Sequence, residues 1–262
     1  MPINAQGRER FTLFPVPDHI LSSYSDRPLV QLSCGKGAPD AIDDLEALIA
    51  ECPWLRVTDL WRDPAIQGAA RKKYEAWVAA GKPPPNSAAF NAKTMKAAFV
   101  ALPGKSMHGP GSATDLDTGA MQKALGAQYL DEFWPIAARH GFPPVIAKPT
   151  EGAAESWHFD YKGLWQPVFD TLGYEQGVLA ANCAFGTAGP FQSSERRVQA
   201  HIVRLSAGAK IASIGEIDGN LGPRSRTALV ELGIDRALVD ATKPTATRIQ
   251  AMTNVAELLE QV

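Results

Sequence analysis

The sequence contains few cysteines, no long apolar run and no large excess of charge of either sign. Three cysteines occur in 262 residues, Cys34, Cys52 and Cys183, and they lack Cys-x-x-Cys spacing. This pattern argues against a disulfide framework and against a thiolate zinc site. The formal net charge is −2, so no overall positive field indicates a nucleic-acid partner.

No apolar run approaches the roughly 18 residues that a membrane-spanning helix needs, and the N-terminus lacks the apolar core of a signal peptide. We therefore expect no stable association with membranes. Hydrophobic residues make up 45% and charged residues 21% of the chain, which is typical of a globular protein with a core of normal size. The length suits one large domain, or a medium domain with a small one.

Helical and extended patterns alternate irregularly along the chain, which favours an α+β fold. We predict a helix over 38–52 with Asp40 as its N-cap, and a second helix with Asp63 as N-cap and Pro64 at its first position. Further patterns predict strands over 53–62 and 142–149, an extended segment over 154–161, a loop and helix over 86–101, a long helix from 118 to Gly141 and a last helix over 246–260.

The chain divides by composition. Residues 1–30 are polar and interrupted by proline, as in an N-terminal arm. Small residues dominate 176–195, where we predict a linker. These boundaries place a main domain over 31–175 and a small all-α module over 196–262.

The stretch SMHGPGSATD, residues 106–115, combines a histidine and an aspartate with a Gly-Pro-Gly bend. Six residues separate His108 from Asp115, and the bend disfavours a helix between them. Residues 113–117 alternate as in a strand, which places Ala113, Asp115 and Asp117 on one face. Such a bend can bring His108 and Asp115 onto one ion, or it can be a solvated loop.

A second stretch, ESWHFD at 155–160, offers Glu155, His158 and Asp160 at short spacing. Alone it also fits an edge strand with a surface glutamate. Together the two stretches hold two of the five histidines of the chain. Two imidazoles and one carboxylate form a typical three-ligand catalytic zinc site, and a further carboxylate that is not a ligand handles the proton of the attacking water.

These stretches resemble the motifs of the zinc D-alanyl-D-alanine carboxypeptidase family. That family includes vancomycin-resistance dipeptidases and carboxypeptidases, and phage endolysins that cut between L-alanine and D-glutamate. SMHGPGSATD fits Ser-x-His-x-x-Gly-x-Ala-x-Asp, ESWH fits Glu-x-Trp-His, and VTDLWRDPAIQ is similar to the family's strand-then-Arg segment. The three motifs occur in the family's order within about residues 55–162.

The resemblance implies a catalytic domain of the hedgehog/D-Ala-D-Ala-peptidase type with a small antiparallel sheet. It implies that Zn²⁺ is held by His108, Asp115 and His158, with Asp117 as the rival for the carboxylate ligand. It also implies that Glu155 is the general base and acid. Glu155 and His158 are three residues apart, and an ideal strand would send them to opposite faces, so the segment must bend.

The resemblance further implies that Arg62 holds the substrate carbonyl oxygen. Asp59 stands where the family has a small or hydroxyl residue, which leaves a salt bridge from Arg62 to Asp59 or Asp63 as the structural alternative. The remaining candidates for substrate binding are Ser106, Gln67 and Trp157; packing beside the ligand strand is the simpler role for Trp157.

The C-terminal stretch GEIDGNLGPRSRTALVEL is similar to the core of peptidoglycan-binding domains, which are small three-helix modules. Asp218, Gly219, Gly222 and Thr227 fit the pattern and are the candidate wall-binding residues. The usual Phe-Gln after the last helix is missing. A helix-turn-helix without a ligand is the alternative, whereas a calcium loop lacks oxygen ligands at EF-hand spacing.

Together the resemblances imply an endolysin-like zinc peptidase that hydrolyses a stem-peptide bond of bacterial peptidoglycan. The bond is either L-Ala-D-Glu or terminal D-Ala-D-Ala. We expect a monomer that is made in the host cytoplasm without a signal peptide and acts at the cell wall. The alternative is a non-catalytic wall-binding or virion structural protein with a vestigial metal site, and the intact Glu155 favours the enzyme.

Overall fold

The computed structural model describes residues 9–17, 36–97, 99–145, 155–206, 208–243 and 248–261. These residues form a helix-rich fold of mixed α and β type with small antiparallel sheets, compatible with the expected α+β class. Within them, each helix is too short or too polar to cross a bilayer. Most of the predicted arm over 1–30, the second half of the predicted strand over 142–149 and Cys34 lie outside the described residues.

Two antiparallel sheets are present in the described residues. The first pairs β1 (Phe14–Pro15) with β2 (Lys36–Gly37). The second has the order β3-β4-β5, formed by Val57–Asp59, Ala113–Leu116 and His158–Asp160. Its register places Asp115 on the central strand, opposite Asp59 on one side and His158 on the other. Opposite residues of antiparallel strands are close neighbours on one face, so three polar side chains gather there.

The helices of the first half surround this sheet, and those of the second half form a helical bundle. The first half contains α1 (Pro39–Glu51), α2 (Pro64–Ala79), α3 (Thr118–Leu125) and α4 (Tyr129–Arg139). The second half contains α5 (Gln166–Leu172), α6 (Tyr174–Ala184), α7 (Ser194–Leu205), α8 (Gly208–Ile214), α9 (Pro223–Glu231), α10 (Arg236–Ala241) and α11 (Arg248–Glu260). Short 3₁₀ turns occur at Gly163–Trp165 and Gly189–Phe191.

Three apolar clusters hold these elements together. The first packs α1 and α4 against the three-stranded sheet, with Leu45, Phe133 and Phe159 at its centre. The second joins Met107 and Ala113, beside and on β4, to buried residues of α5 to α8. The third packs α7 against α9, α10 and α11. Because the second cluster is shared, the helical half packs directly on the half that carries the sheet.

Several local predictions agree with the structure and others need correction. The Asp63 side chain accepts the N–H of Ala65 at 2.7 Å and caps α2, as predicted. Ala38, not Asp40, is the N-cap of α1; Asp40 lies in the first helical turn, where its charge favours the helix dipole. The predicted long helix over 118–141 is two helices, because α3 ends at Gly126 with a φ of +83°.

The remaining extended and helical predictions are also modified. The strand predicted over 53–62 is limited to β3, and Pro144 makes a single bridge to Phe159. Turns replace the helix predicted over 86–101 in the described residues there. The side chain of Asn91 accepts the N–H of Lys93 at 3.0 Å, and such local bonds compete with helix formation. The predicted last helix corresponds to α11.

Residues 176–195, where we predicted a linker, instead contain most of the buried helix α6 and the start of α7. Every residue from Gly177 to Ala184 is buried. A Cβ atom at Gly177 would lie 2.6 Å from Cγ of Phe169, so the small residue allows α5 and α6 to approach closely. The composition that suggested a linker therefore reflects tight helix packing, and not an exposed connection.

A buried charged cluster joins α7 to α11. His201 is fully buried, and its Nε2 lies 3.1 Å from Oε1 of Glu260, which also accepts from Arg197. Arg204 donates to the carbonyl of Leu259 at 2.9 Å. Burial lowers the pKa of His201 from its usual 6.5, and this effect exceeds the opposing influence of Glu260. The imidazole is therefore neutral in the folded protein near neutral pH.

This neutral His201 predicts a loss of stability on mild acidification. Below the unfolded-state pKa of 6.5, His201 binds a proton in the unfolded chain but stays neutral in the folded chain. The free energy of unfolding therefore falls by up to about 1.4 kcal/mol for each unit by which the pH is lowered. Urea unfolding between pH 5 and 6.5 should show this slope in the wild type and a flatter one in His201→Gln. Above pH 6.5 the raised pKa of His158 makes stability fall as the pH rises, so the comparison is confined to the lower range. Glu260, whose unfolded-state pKa is 4.5, contributes only below this range. Equal slopes for the two proteins would contradict the prediction.

Candidate metal centre

The bend between α2 and β4 presents His108 to the three-stranded sheet. Gly111 has a φ of +62°, and a Cβ atom there would lie 2.5 Å from Cα of Gly37. A Cβ atom at Gly109 would lie 2.2 Å from Oδ1 of Asn182. Both positions therefore need glycine. His108 itself is only 3% exposed, so the bend holds an imidazole inside the protein and not in solvent.

His108 and His158 converge on one oxygen of Asp115. Nε2 of His108 lies 3.2 Å from Oδ1 of Asp115, and Nδ1 of His158 lies 2.7 Å from the same atom. One ligand atom from each residue lies within 4.8 Å of the other two. A tetrahedral ion with bonds of about 2.1 Å separates its ligand atoms by about 3.4 Å. The three side chains can therefore hold a metal ion after small adjustments.

The other nitrogen of each imidazole is held by an acceptor. Nδ1 of His108 lies 2.5 Å from the carbonyl oxygen of Leu60, and Nε2 of His158 lies 2.9 Å from Oδ1 of Asp160. A carbonyl only accepts, and so does an ionised carboxylate, so these two nitrogens carry hydrogen. In the neutral rings, the nitrogens that face Asp115 then carry the lone pairs. This arrangement orients both histidines as metal ligands.

The charges in the group favour a cation between the ligands. Burial on its own lowers the pKa of His158, but hydrogen bonds to Asp115 and Asp160 outweigh burial and raise the pKa to about 10. Burial on its own raises the pKa of Asp115, but His108 and His158 outweigh it and hold this pKa well below its usual range. Two lone pairs facing a carboxylate repel it unless a positive charge intervenes. A proton or a metal ion can supply that charge, and the two compete.

Arg62 lies beside the ligand group at the end of β3. Its Nε donates to Oδ2 of Asp59 at 3.0 Å, and its Nη2 makes a shorter contact with the same oxygen. Nη1 donates to Oε1 of Gln67 at 2.9 Å, while Nη2 lies 3.8 Å from Oδ2 of Asp115. The salt bridge to Asp59 therefore coexists with a position next to the metal ligands. A backbone hydrogen bond also holds Arg62 beside His108, since the N–H of Arg62 donates to the carbonyl of His108 at 3.0 Å.

The other candidates for substrate binding have different positions. Gln67 is 4% exposed and donates to the carbonyl of Ala101 at 2.6 Å, so it supports Arg62 from within the structure. The hydroxyl of Ser106 accepts the N–H of His108 at 3.3 Å and supports the bend. Trp157 is 39% exposed, which is high for a large apolar side chain. Its carbonyl accepts the N–H of Leu116 at 2.8 Å.

Glu155 begins a turn that leads into β5. The N–H of His158 donates to its carbonyl at 3.0 Å, and Glu155 has a φ of +67°. The segment therefore bends between these two residues, as the spacing required. A positive φ at a glutamate costs free energy, and such strain is frequent at functional sites. The charge of Glu155 also contributes to raising the pKa of Tyr174, after the larger effects of burial and Asp160.

Asp117 is not a metal ligand in this arrangement. Its Oδ1 accepts the N–H groups of Gly119 and Ala120 at 2.8 and 3.1 Å and caps α3. β4 ends at Leu116, so the predicted alternation does not continue to Asp117. Asp115, and not Asp117, is therefore the candidate carboxylate ligand in the group with His108 and His158.

Several residues of the site had no role in the sequence prediction. Asp160 was noted only for its spacing, while Leu60 and Tyr174 carried no signal, because their contacts depend on the fold. Partial burial, followed by the charge of Arg62, lowers the pKa of Lys96. This influence of Arg62 on Lys96 could not be derived from a motif.

The candidate wall-binding residues shape the loop before α9. Oδ1 of Asp218 accepts from Gln199 at 2.9 Å and from the N–H of Asn220 at 2.7 Å. Gly219 has a φ of +85° and donates its N–H to Oε1 of Gln199 at 2.7 Å. Gly222 is the N-cap of α9. Thr227 is exposed on α9. The Asp-Gly part of this motif therefore anchors a loop onto α7.

Exchange of one carboxylate tests the metal centre. Asp115→Asn removes the anionic ligand at nearly constant size, and we expect zinc affinity to fall by at least about 100-fold, more than is typical for an outer partner. Asp117→Asn is the matched control, because asparagine also caps helices well; it should bind zinc like the wild type. Competition with a chromogenic chelator measures both. Wild-type affinity in Asp115→Asn would contradict the site, and a loss confined to Asp117→Asn would exchange the two assignments.

The motifs of the sequence thus lie next to one another around a three-stranded sheet. Their residues lie at the end of β3, on the bend before β4, on β4 itself and on the turn into β5. Comparison of the chain with models of protein families and with curated proteins gave no match. The geometry of this centre and the motif resemblance are therefore the features of the chain that indicate a function.

Proposed function

We propose that this protein is a zinc-dependent peptidoglycan peptidase of the hedgehog/D-Ala-D-Ala-peptidase type. One observation carries the proposal: Nε2 of His108 and Nδ1 of His158 approach the same oxygen of Asp115 at 3.2 and 2.7 Å. Two imidazoles and one carboxylate leave the fourth position of a tetrahedral ion open, which is typical of catalytic zinc. Imidazole donors favour zinc over calcium or magnesium, which prefer oxygen ligands.

Zinc held by these three residues would polarise a scissile carbonyl and lower the pKa of a water molecule to about 7. The protein's own groups then manage the protons and the developing charge. Glu155 takes a proton from the attacking water as the C–O bond forms. It returns a proton to the leaving amine as the C–N bond breaks, so the products are a carboxylic acid and an amine.

Arg62 stabilises the negative charge that develops on the carbonyl oxygen. Its guanidinium is held from two sides by Asp59 and Gln67, so few conformations need to be lost when substrate binds. A fixed donor aimed at such an oxygen is typically worth about 3 kcal/mol in the transition state. Pairing with Asp59 is therefore a means of holding Arg62 and does not exclude the role implied by the resemblance.

The bond that is cut depends on the charges around Arg62. Removal of a terminal D-alanine requires a cation for the free carboxylate of the substrate, and Lys96, whose pKa is lowered by the charge of Arg62 after the larger effect of burial, is the candidate. Cleavage between L-alanine and D-glutamate requires a site that accepts a chain on both sides. Mass spectrometry of the released muropeptides separates these activities, because each leaves a product of different mass.

The proposal includes bacterial peptidoglycan as the partner of the helical half. The resemblance of residues 215–232 to peptidoglycan-binding domains supports this, together with the ordered loop at Asp218 and Gly219. The alternative is a non-catalytic wall-binding or virion structural protein. That alternative predicts binding to purified peptidoglycan without release of any product.

Removal of the general base tests the enzymatic function. Glu155→Gln keeps the size of the side chain but cannot accept the proton, so we expect hydrolysis of purified peptidoglycan to fall by about 10²–10⁴-fold. Zinc affinity should be retained, because Glu155 is outside the ligand group. Glu132→Gln, a change at an exposed position of α4, is the control and should digest like the wild type.

Two outcomes of this experiment would decide against the proposal. Equal rates and equal products for Glu155→Gln and the wild type would remove Glu155 from the mechanism. A wild-type protein that binds zinc and peptidoglycan but releases no muropeptide would favour the non-catalytic alternative.

A further inference from the structure

The carboxylate of Asp160 is a buried group with a partner at each oxygen. Asp160 ends β5 and is 1% exposed. Its Oδ1 lies 2.9 Å from Nε2 of His158, and its Oδ2 accepts the hydroxyl of Tyr174 at 2.6 Å. A buried carboxylate is costly unless its oxygens are hydrogen-bonded. The hydroxyl of Tyr174 therefore satisfies the oxygen that the histidine does not use.

Tyr174 is the first residue of α6, in the helical half of the protein. Its side chain is 49% exposed, while its hydroxyl reaches inward to Asp160. Burial raises the pKa of this hydroxyl above its usual range, and the neighbouring charges of Asp160 and Glu155 raise it further. Tyr174 is thus a protonated phenol throughout the neutral range and acts as a hydrogen-bond donor.

We propose that Tyr174 is a positioning residue of the metal centre, which acts on His158 through Asp160. Its O–H bond holds the carboxylate of Asp160 in one orientation. That carboxylate holds Nε2–H of His158 and so directs the lone pair of Nδ1 toward Asp115. The inference rests on the metal site of the proposed function, but not on the reaction performed there.

Loss of the Tyr174 hydroxyl would leave Oδ2 of Asp160 buried without that donor, at a cost in free energy. The carboxylate could then rotate to find another donor, and the ring of His158 would lose its fixed orientation. Outer partners of metal-bound histidines typically change metal affinity or activity by about 10–100-fold. The helix α6, which lies outside the sheet, would in this way influence the affinity of the site for zinc.

Removal of one hydroxyl tests the proposal. Tyr174→Phe keeps the half-exposed ring, and we expect the dissociation constant for zinc to rise about tenfold, at the lower end of the range for outer partners. The measurement is competition with a chelator in the absence of substrate. Tyr161→Phe is the matched control, because Tyr161 donates to Oδ2 of Asp44 at the same 2.6 Å but contacts no metal ligand through this bond. It should leave zinc affinity unchanged.

A double-mutant cycle shows whether Tyr174 acts through Asp160. Asp160→Asn alone should weaken zinc binding more than Tyr174→Phe, because it also alters the partner of His158. The double variant should bind zinc no more weakly than Asp160→Asn, since the hydroxyl then has no carboxylate to hold. Thermal unfolding of the four metal-free proteins separates effects on the metal from effects on the fold.

Four results would overturn the inference. Zinc affinity of Tyr174→Phe within twofold of the wild type would show that the hydroxyl is not needed. An equal loss in Tyr161→Phe would reduce the effect to general stability, and additive losses in the double variant would separate Tyr174 from Asp160. A wild type that binds no zinc removes the site and the inference together. A wild type that binds zinc tightly but cuts no peptidoglycan contradicts the proposed function alone.

Discussion

The centre of this structure is a single carboxylate oxygen shared by two imidazoles. Asp115 lies on the central strand of a three-stranded sheet, and its register with β3 and β5 sets Asp59 and His158 on either side. Polar groups this poorly exposed are costly unless each is paired. The surrounding chain meets that requirement by supplying the carbonyl of Leu60 and the carboxylate of Asp160 to the outer nitrogens of the rings. The placement of this carboxylate and of the two imidazoles therefore depends on three features together: the register of the sheet, the bend before β4 and the pairing of the side chains.

The same constraint explains how opposite charges coexist in a small volume. The guanidinium of Arg62 is shared between Asp59 and Gln67, and it approaches Asp115 at 3.8 Å without forming a closer bond. The bonds to Asp59 and Gln67 therefore hold the guanidinium of Arg62 to one side of Asp115. Asp59, which departs from the motif that the sequence resembles, thus keeps the guanidinium beside the candidate metal ligands.

The sequence predicted those parts of the site that depend on local order along the chain. The bend at Gly109 to Gly111, the turn after Glu155 and the N-cap at Asp63 follow from spacing and from backbone chemistry. The candidate ligands His108, Asp115 and His158 came from the motif resemblance, and the structure brings them together. Contacts between distant segments could not be predicted in this way, and the bond from Tyr174 to Asp160 is the clearest example. Small residues over 176–195 suggested a linker because composition does not distinguish exposed connections from closely packed helices.

That error has a structural meaning, because close packing of α6 ties the metal centre to the helical half. Met107 and Ala113 flank His108 and Asp115 in sequence and share an apolar cluster with residues of α6 and α7. Asn182, on α6, donates to the carbonyls of Ser106 and Val178 at 3.0 and 2.8 Å. Its side chain thus holds the bend that carries His108. Tyr174 lies at the other end of the same helix. One helix therefore contacts both histidine-bearing segments, so a displacement of α6 would alter the orientation of both imidazoles together.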